Sequence, residues 1–402
     1  MLGIVSIGLS LFQLSWTEHI IGCVVSYILF SLLMRHFRGP SVIKVAQLWV
    51  YPIKSCGAVR VEESLVHRGG LQWDREFAII NASGEVLSQK TYPKLANICP
   101  VMHCTSRGSA ETTSPGIDAT LAGLTLRAGP SDANGVHVDL TKPGTAAVEC
   151  TTTWGGNMTP LGAVRYPAAD EWLAKYMGFA CSLCRLTSRR ALRTTRLAPV
   201  ANDPLDSCRY QDGAPLTILA EESVGAVSRR FKKTVPACRF RPNIVVSGCT
   251  PLDEQSWSSV SIGGAADGDG GGEDGGGAAG RAACGIRVLM DAYRCTMVTI
   301  AQAAEEQPGV EAGSRPQGLE LTKVMKAFLS RDGATHGPLP KDNPNFAVFA
   351  APEQDEAIVR VGDGVSVLET IGNAKSIFAY NEAKAAVKFT LDENRFWHSR
   401  KD

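Results

Sequence analysis

Beyond Gly39-Pro40 the chain is a succession of short β-branched and aromatic runs broken by glycine, proline and asparagine, and that rhythm limits it to a sheet-rich fold. Residues 42–50 (VIKVAQLWV) set Lys44 and Gln47 among apolar side chains, as a strand with one wet face does. Residues 77–88 read as a hairpin, FAII and EVLS around NASG, with Asn81 and Gly84 supplying the turn. Residues 124–126 and 136–140 continue the pattern, and 243–247 (NIVVS) has the composition of a buried strand. A helical period occurs at 171–177 (EWLAKYM) and again at 221–232. The helices do not alternate with the strands, so the expected class is mixed α+β rather than a βαβ series.

With 402 residues, 44% of them hydrophobic, the chain has material for two domains or one large one. Its 41 basic and 40 acidic side chains leave no excess charge to neutralise a phosphate backbone, which excludes a general nucleic-acid binder. Twelve cysteines are too dilute and too irregularly spaced for a disulfide scaffold or a paired zinc motif. Residues 263–280 (GGAADGDGGGEDGGGAAG) cannot bury enough apolar area to offset their ordering entropy. The runs on either side, 256–262 and 285–290, read as two strands joined by this extension.

Residues 1–34 carry Glu18 and His19 as their only titratable acid or base, and 20–34 (IIGCVVSYILFSLLM) are uncharged. At ~1.5 Å per residue that core alone is short for a ~30 Å hydrocarbon slab, and the apolar residues before Glu18 extend it. Arg35, His36 and Arg38 follow the run, and no Lys or Arg precedes it. This is the charge order of a single N-terminal transmembrane helix that leaves the rest of the chain cytosolic; a cleaved or targeting segment is the alternative.

Five places carry candidate chemistry. Lys54 and Ser55, after Tyr51-Pro52, set an ammonium and a hydroxyl at a strand exit, able to hold a phosphate. Asp74-Arg75 enters the 77–80 strand, where the arginine has to pair with a carboxylate or a bound anion. Arg239, Arg241 and Asn243 lead into NIVVS and could form a multi-donor clamp. Cys295 follows Arg294 and precedes an apolar run, 296–300, read as a strand. A guanidinium beside a thiol favours the thiolate, the form that ligates a soft metal. Cys181 and Cys184 form a CxxC, a redox pair or half a zinc site, without a second half or a thioredoxin-like context.

The ordered set VYPIKSC (50–56), Trp73-Asp74-Arg75, FRPNIVVSGC (240–249) and Tyr293-Arg294-Cys295 resembles the MOSC family, and within it the membrane-anchored mitochondrial amidoxime-reducing components. The resemblance runs from about residue 45 through FAVFA (346–350) to VRVGDGVSVLE (359–369). It implies an anchor or targeting segment over 1–40, a β-barrel-like MOSC N-terminal domain over 42–190, and a MOSC domain over 191–400 with the glycine-rich insertion at 263–284. Related cofactor sulfurases carry a pyridoxal-phosphate domain ahead of their MOSC part, for which this chain has no room.

By the same resemblance Cys295 is the thiolate ligand of molybdenum in a molybdenum-pterin cofactor, and the catalytic residue. Lys54, Ser55 and Arg75 hold the cofactor's phosphate and pterin side, and Arg241 and Asn243 make further contacts. Cys249 matches a recurrent cysteine that is not the metal ligand. The implied reaction is reduction of small N-hydroxylated compounds, amidoximes and hydroxylamines, with electrons from NADH-cytochrome b5 reductase through cytochrome b5. The implied location is the mitochondrial outer membrane, with the catalytic part facing the cytosol. A cofactor carrier or sulfur-delivery protein without turnover is the alternative, and a thiol oxidoreductase using Cys181 and Cys184 a third reading. Gly213 and Ala214 stand where the family has small hydroxyl residues, so any bond to the cofactor there has to come from the backbone.

Overall fold

The computed structural model describes Ser26 and residues 42–105, 116–154, 157–187, 190–191, 207–264, 281–303, 313–315, 320–329 and 344–372. The first half carries β1 (Lys44–Val50), β2 (Val59–Val61), β3 (Glu63–His67), β4 (Gly70–Leu71), β5 (Phe77–Asn81), β6 (Ile98–Thr105), β7 (Thr120–Ala128) and β8 (Val136–Asp139). There follow the long hairpin β9 (Ala146–Trp154) and β10 (Asn157–Tyr166), helix α1 (Asp170–Met177), β11 (Cys181–Leu186) and β12 (Arg190–Ala191). The second half holds β13 (Ser207–Cys208), β14 (Leu216–Ala220), α2 (Glu221–Phe231), β15 (Ile244–Ser247), β16 (Trp257–Ile262) and β17 (Cys284–Tyr293). It closes with α3 (Glu320–Leu329), β18 (Asn345–Pro352), β19 (Ala357–Arg360) and β20 (Val365–Thr370).

An eight-stranded sheet in the order β2-β1-β15-β14-β18-β17-β16-β20 forms the frame. Its inner strand β14 (LTILA) is buried along its whole length, as its uninterrupted apolar run requires. β14, α2 and β15 make the sheet's parallel step, with Ile218 beside Ile244. α2 carries Glu221 and Glu222 in its first turn and Arg229 and Arg230 in its last, matching the helix dipole at both ends. In β1 the buried positions run Val45, Leu48, Val50, and a bulge between Val45 and Gln47 resets the alternation.

The halves interleave. β1 pairs with β15 and β3 pairs with β19, so strands from the first fifty described residues are held by partners in the second half. Smaller sheets, β5-β11-β10-β9 and β6-β7-β8, carry the first half's own strands.

Of the expected strands, β16 and β17 pair antiparallel on either side of the glycine-rich stretch, of which 265–280 lie outside the described residues. Residues 85–88 form bridges to Ile80 and Thr151 rather than a full second hairpin arm. Residues 296–299 are a 3₁₀ turn, not a strand, because the Cys295 sulfur accepts the Met297 N–H and winds the chain there. No helix of the described residues is long and apolar enough to cross a membrane, and the anchor expected over 1–40 lies outside them apart from Ser26.

Candidate functional site

Four segments converge where β1, β5, β15 and β17 begin or end. The turn at 51–56 leaves β1. Its Lys54 N–H donates to the Phe77 carbonyl at 2.8 Å, and Phe77 in turn donates to Pro52, tying the turn to β5. Arg75 N–H donates to the Tyr51 carbonyl at 2.7 Å, and Tyr51 N–H to Asp74 Oδ1 at 2.9 Å. Ser55, Trp73, Arg75 and Arg241 all have φ between 51° and 65°, a left-handed conformation that costs each of these non-glycine residues roughly 1–3 kcal/mol. That strain gathers on the segments that carry the candidate residues.

Tyr51 is the hub. Its ring is fully buried, and the guanidinium carbons of Arg75 and Arg241 lie 4.1 and 4.3 Å from its centroid. Asp74, also fully buried, receives both of its 2.6 Å contacts from Arg75 Nη1 and balances that charge. Among the described residues neither Arg241 nor Arg294 has a carboxylate in ion-pair contact. Arg241 Nη1 donates to the Cys56 carbonyl at 2.8 Å and to Gln302 Oε1 at 3.1 Å. Arg294 donates from Nε to the Phe346 carbonyl at 2.7 Å and from Nη1 to the Phe240 carbonyl at 3.0 Å. Burial pushes both guanidiniums down to about 10, with Arg75 adding repulsion on Arg241, so both remain cationic at neutral pH.

Arg241 Nη2, Arg294 Nη2 and Tyr51 Oη are buried and have no hydrogen-bond partner in the ligand-free chain. A buried donor without an acceptor is unfavourable, and two cationic donors with one hydroxyl fit an anionic, oxygen-rich group. The phosphate and pterin of the expected cofactor match that donor set.

Lys54 Nζ donates to the Tyr210 carbonyl at 2.8 Å and pairs with Asp212, on the loop that holds Gly213 and Ala214. The same Asp212 carboxylate acts on the Cys295 thiol, as do Lys90 and Arg294. Lys54 and Arg294 thereby connect Cys295 to the Tyr51 cluster. The thiol is nevertheless pushed up from its ordinary value. Burial outweighs the Met297 N–H, and Arg294 is the weakest of the groups favouring ionisation. Sequence adjacency to arginine therefore does not by itself make Cys295 a thiolate; a bound metal cation would have to displace the proton.

One expected residue is committed to backbone partners. Asn243 donates to the Trp49 carbonyl at 3.2 Å and accepts the Thr217 N–H at 3.2 Å, lacing β1, β15 and β14 together. Arg239 is 2% exposed and sits in the 3₁₀ turn before β15. Cys181 and Cys184 lie on β11 with their side chains in different core clusters, on opposite faces, where no disulfide can join them. Burial pushes these thiols up to about 11 and about 12, which argues against the thiol oxidoreductase reading.

The sequence reading missed Tyr51, Asp212, Gln89 and Gln302. Gln302 Nε2 donates to Gln89 Oε1 at 2.9 Å, and Gln89 Nε2 to the Ser55 carbonyl at 3.2 Å. This buried relay links Arg241 to the strained Ser55 turn. Neither glutamine stands in a motif, and no local signal marks them.

Strained turns from both halves thus meet around Tyr51, with two arginines whose Nη2 atoms are buried and without a hydrogen-bond partner among the described residues. A MOSC N-terminal beta barrel domain matches residues 42–179 and a MOSC domain matches 206–366, and the chain belongs to the MOSC family. It is 25% identical over 339 residues to Mitochondrial amidoxime-reducing component 1 of Mus musculus, covering 83% of this chain and 85% of that one. With the Homo sapiens protein of the same name it shares 26% over 332 residues, 81% and 82% of the two chains. Molybdenum cofactor sulfurase of Oryza sativa subsp. japonica is 27% identical over 247 residues, 57% of this chain and 27% of that one.

Proposed function

We propose that this chain is a molybdenum-pterin oxidoreductase that reduces N-hydroxylated compounds such as amidoximes and hydroxylamines. The observation that carries the reading is the pair of guanidiniums, Arg241 and Arg294, with buried, unpartnered Nη2 atoms and, among the described residues, no carboxylate in ion-pair contact. The relatives that span most of the chain are amidoxime-reducing components, which supplies the reaction class.

Lys54, Ser55, Arg75 and Arg241 would hold the phosphate and pterin, and Cys295 the metal. When bound, the molybdenum and its pterin supply two-electron oxygen-atom chemistry. The balance is one N–O bond broken, with two electrons and two protons taken up to give the N–H product and water. The chain contributes position and charge. Asp74 holds Arg75 in place, the Gln302–Gln89 relay fixes Arg241 against the Ser55 turn, and Asn243 locks the strand behind it. Lys54 has to share its ammonium between Asp212 and an incoming phosphate.

We further propose that electrons arrive from NADH-cytochrome b5 reductase through cytochrome b5, and that residues 1–40 tether the protein to the mitochondrial outer membrane. A tether is supported by the apolar run and by the gain in effective concentration toward a membrane-bound donor. The test is molybdenum and pterin analysis of protein from a cofactor-producing host, followed by benzamidoxime reduction with the cytochrome b5 chain. About one molybdenum per chain with turnover is expected. Protein without metal or pterin would refute the reading. The similarity to cofactor sulfurases favours, as second reading, a carrier that binds the cofactor without turnover, which predicts metal content but no reduction with any donor.

A further inference from the structure

We infer that the Tyr51 hydroxyl is a ligand-binding donor, directed at an anionic oxygen that Arg241 and Arg294 also hold. The inference rests on the cofactor reading above and adds to it a residue of the VYPIKSC motif to which the sequence analysis gave no role. The Tyr51 side chain is fully buried and its Oη has no partner. Its position is fixed from the backbone, through Asp74 on the N–H and Arg75 on the carbonyl. The ring alone accounts for the contacts with Arg75 and Arg241, since a phenylalanine would present the same π-face to both cations. The hydroxyl is therefore superfluous to the ligand-free fold, and unfavourable there, because a buried O–H without an acceptor has lost its water and gained nothing.

Arg241 Nη2 and Arg294 Nη2 are in the same condition, the Arg241 guanidinium lies 4.3 Å from the Tyr51 ring centroid, and Tyr51 is among the groups that act on Arg294. All three are donors, and the two guanidiniums are cationic, so the group that satisfies them accepts hydrogen bonds and is negative. A phosphate oxygen has both properties. Inorganic phosphate and the phosphate of a pterin cofactor share that chemistry, and the experiment separates them.

Wild type and Tyr51→Phe are purified from a cofactor-producing host and from a cofactor-deficient one. Molybdenum and pterin content are measured on the first preparation. The second is melted with and without inorganic phosphate, from which binding follows by linkage. The Phe variant is expected to melt, ligand-free, at or above the wild-type midpoint. It should bind phosphate roughly ten- to a hundredfold more weakly, the worth of a hydrogen bond to a charged acceptor, and carry less cofactor. Tyr176→Phe is the control. Its hydroxyl donates to the Lys94 carbonyl at 3.0 Å, so it should lower the midpoint and leave phosphate binding unchanged.

A drop in the ligand-free midpoint of Tyr51→Phe, or phosphate binding and cofactor content both within twofold of wild type, would overturn the inference. A wild type without molybdenum or pterin that still binds phosphate more tightly than the Phe variant refutes the cofactor reading and sustains the hydroxyl's role.

Discussion

Cys295 and Cys249 occupy similar positions in the chain, each just past a strand of the large sheet, each half-buried, each with a thiol pushed up by burial. Their surroundings differ in sign. Cys249 sits 3.7 Å from Glu222 Oε2, and Glu254 and Asp253 add to the negative field, so every neighbouring charge holds the proton on. Around Cys295 the Met297 N–H, Lys90 and Arg294 favour the anion, and Asp212 alone among its neighbours opposes them. The residue next door in sequence is a poor guide to a thiol's chemistry. The charges brought by packed elements decide which sulfur can give up its proton to a metal.

The most direct way to break this comparison is to exchange the two sulfurs for oxygen. Cys295→Ser should lower molybdenum content at least tenfold and abolish reduction, whereas Cys249→Ser should keep the metal within about twofold; equal losses, read by metal analysis, would erase the distinction. Next in size, Arg241→Met should cut cofactor content severalfold while leaving the ligand-free melting midpoint unchanged or raised, because it removes a desolvated charge that no carboxylate among the described residues contacts directly. A clear drop in that midpoint would make Arg241 a structural residue instead.

The acidic side of the comparison can be sharpened through pH. Glu254 is fully buried, accepts from Ser223 Oγ at 2.8 Å, and is pushed up to about 7 by burial. The folded protein therefore retains a proton between about pH 4.5 and 7 that the unfolded chain releases. The stability this gives is complete below pH 4.5 and is lost as pH rises through 7. Glu254→Gln should melt higher than wild type at pH 8, by on the order of 2–3 kcal/mol, with the gap closing toward pH 5; a gap independent of pH in denaturation curves would refute the assignment. Smallest of all, the Cys181→Ser, Cys184→Ser double variant should lose stability, since both thiols are buried, and hold its cofactor as wild type does. Loss of metal there would restore the CxxC to consideration.

Much of the frame was legible in the sequence because it depends on local period: β1, β15, the β16–β17 pair, α1 and α2 all lie where the alternation or helical spacing put them. The run after Cys295 misled, since its apolar β-branched residues suit a strand while a sulfur-capped turn needs only one bond to win. At the site, Lys54, Ser55, Arg75 and Arg241 stand on the segments their motifs occupy. Asn243 is used to lace strands, and nothing local distinguishes an amide facing a ligand from one facing two backbones. Gln89 and Gln302 were invisible for a related reason. They are 213 residues apart and meet through the tertiary fold alone.

The pairing of β3 with β19 carries a consequence for how a cell makes this protein. Glu63 and Arg360 face each other across that ladder, 297 positions apart in the chain. At roughly 5–20 residues per second on the ribosome, the earliest strands wait tens of seconds for the segment that completes them. Until it emerges, their open edges are exposed to other chains, and the Tyr51 cluster lacks Arg294 as well as the β18 backbone that anchors it. Completion of that cluster therefore waits on the second half of the chain, so the supply of folding assistance becomes a lever on how much finished protein accumulates.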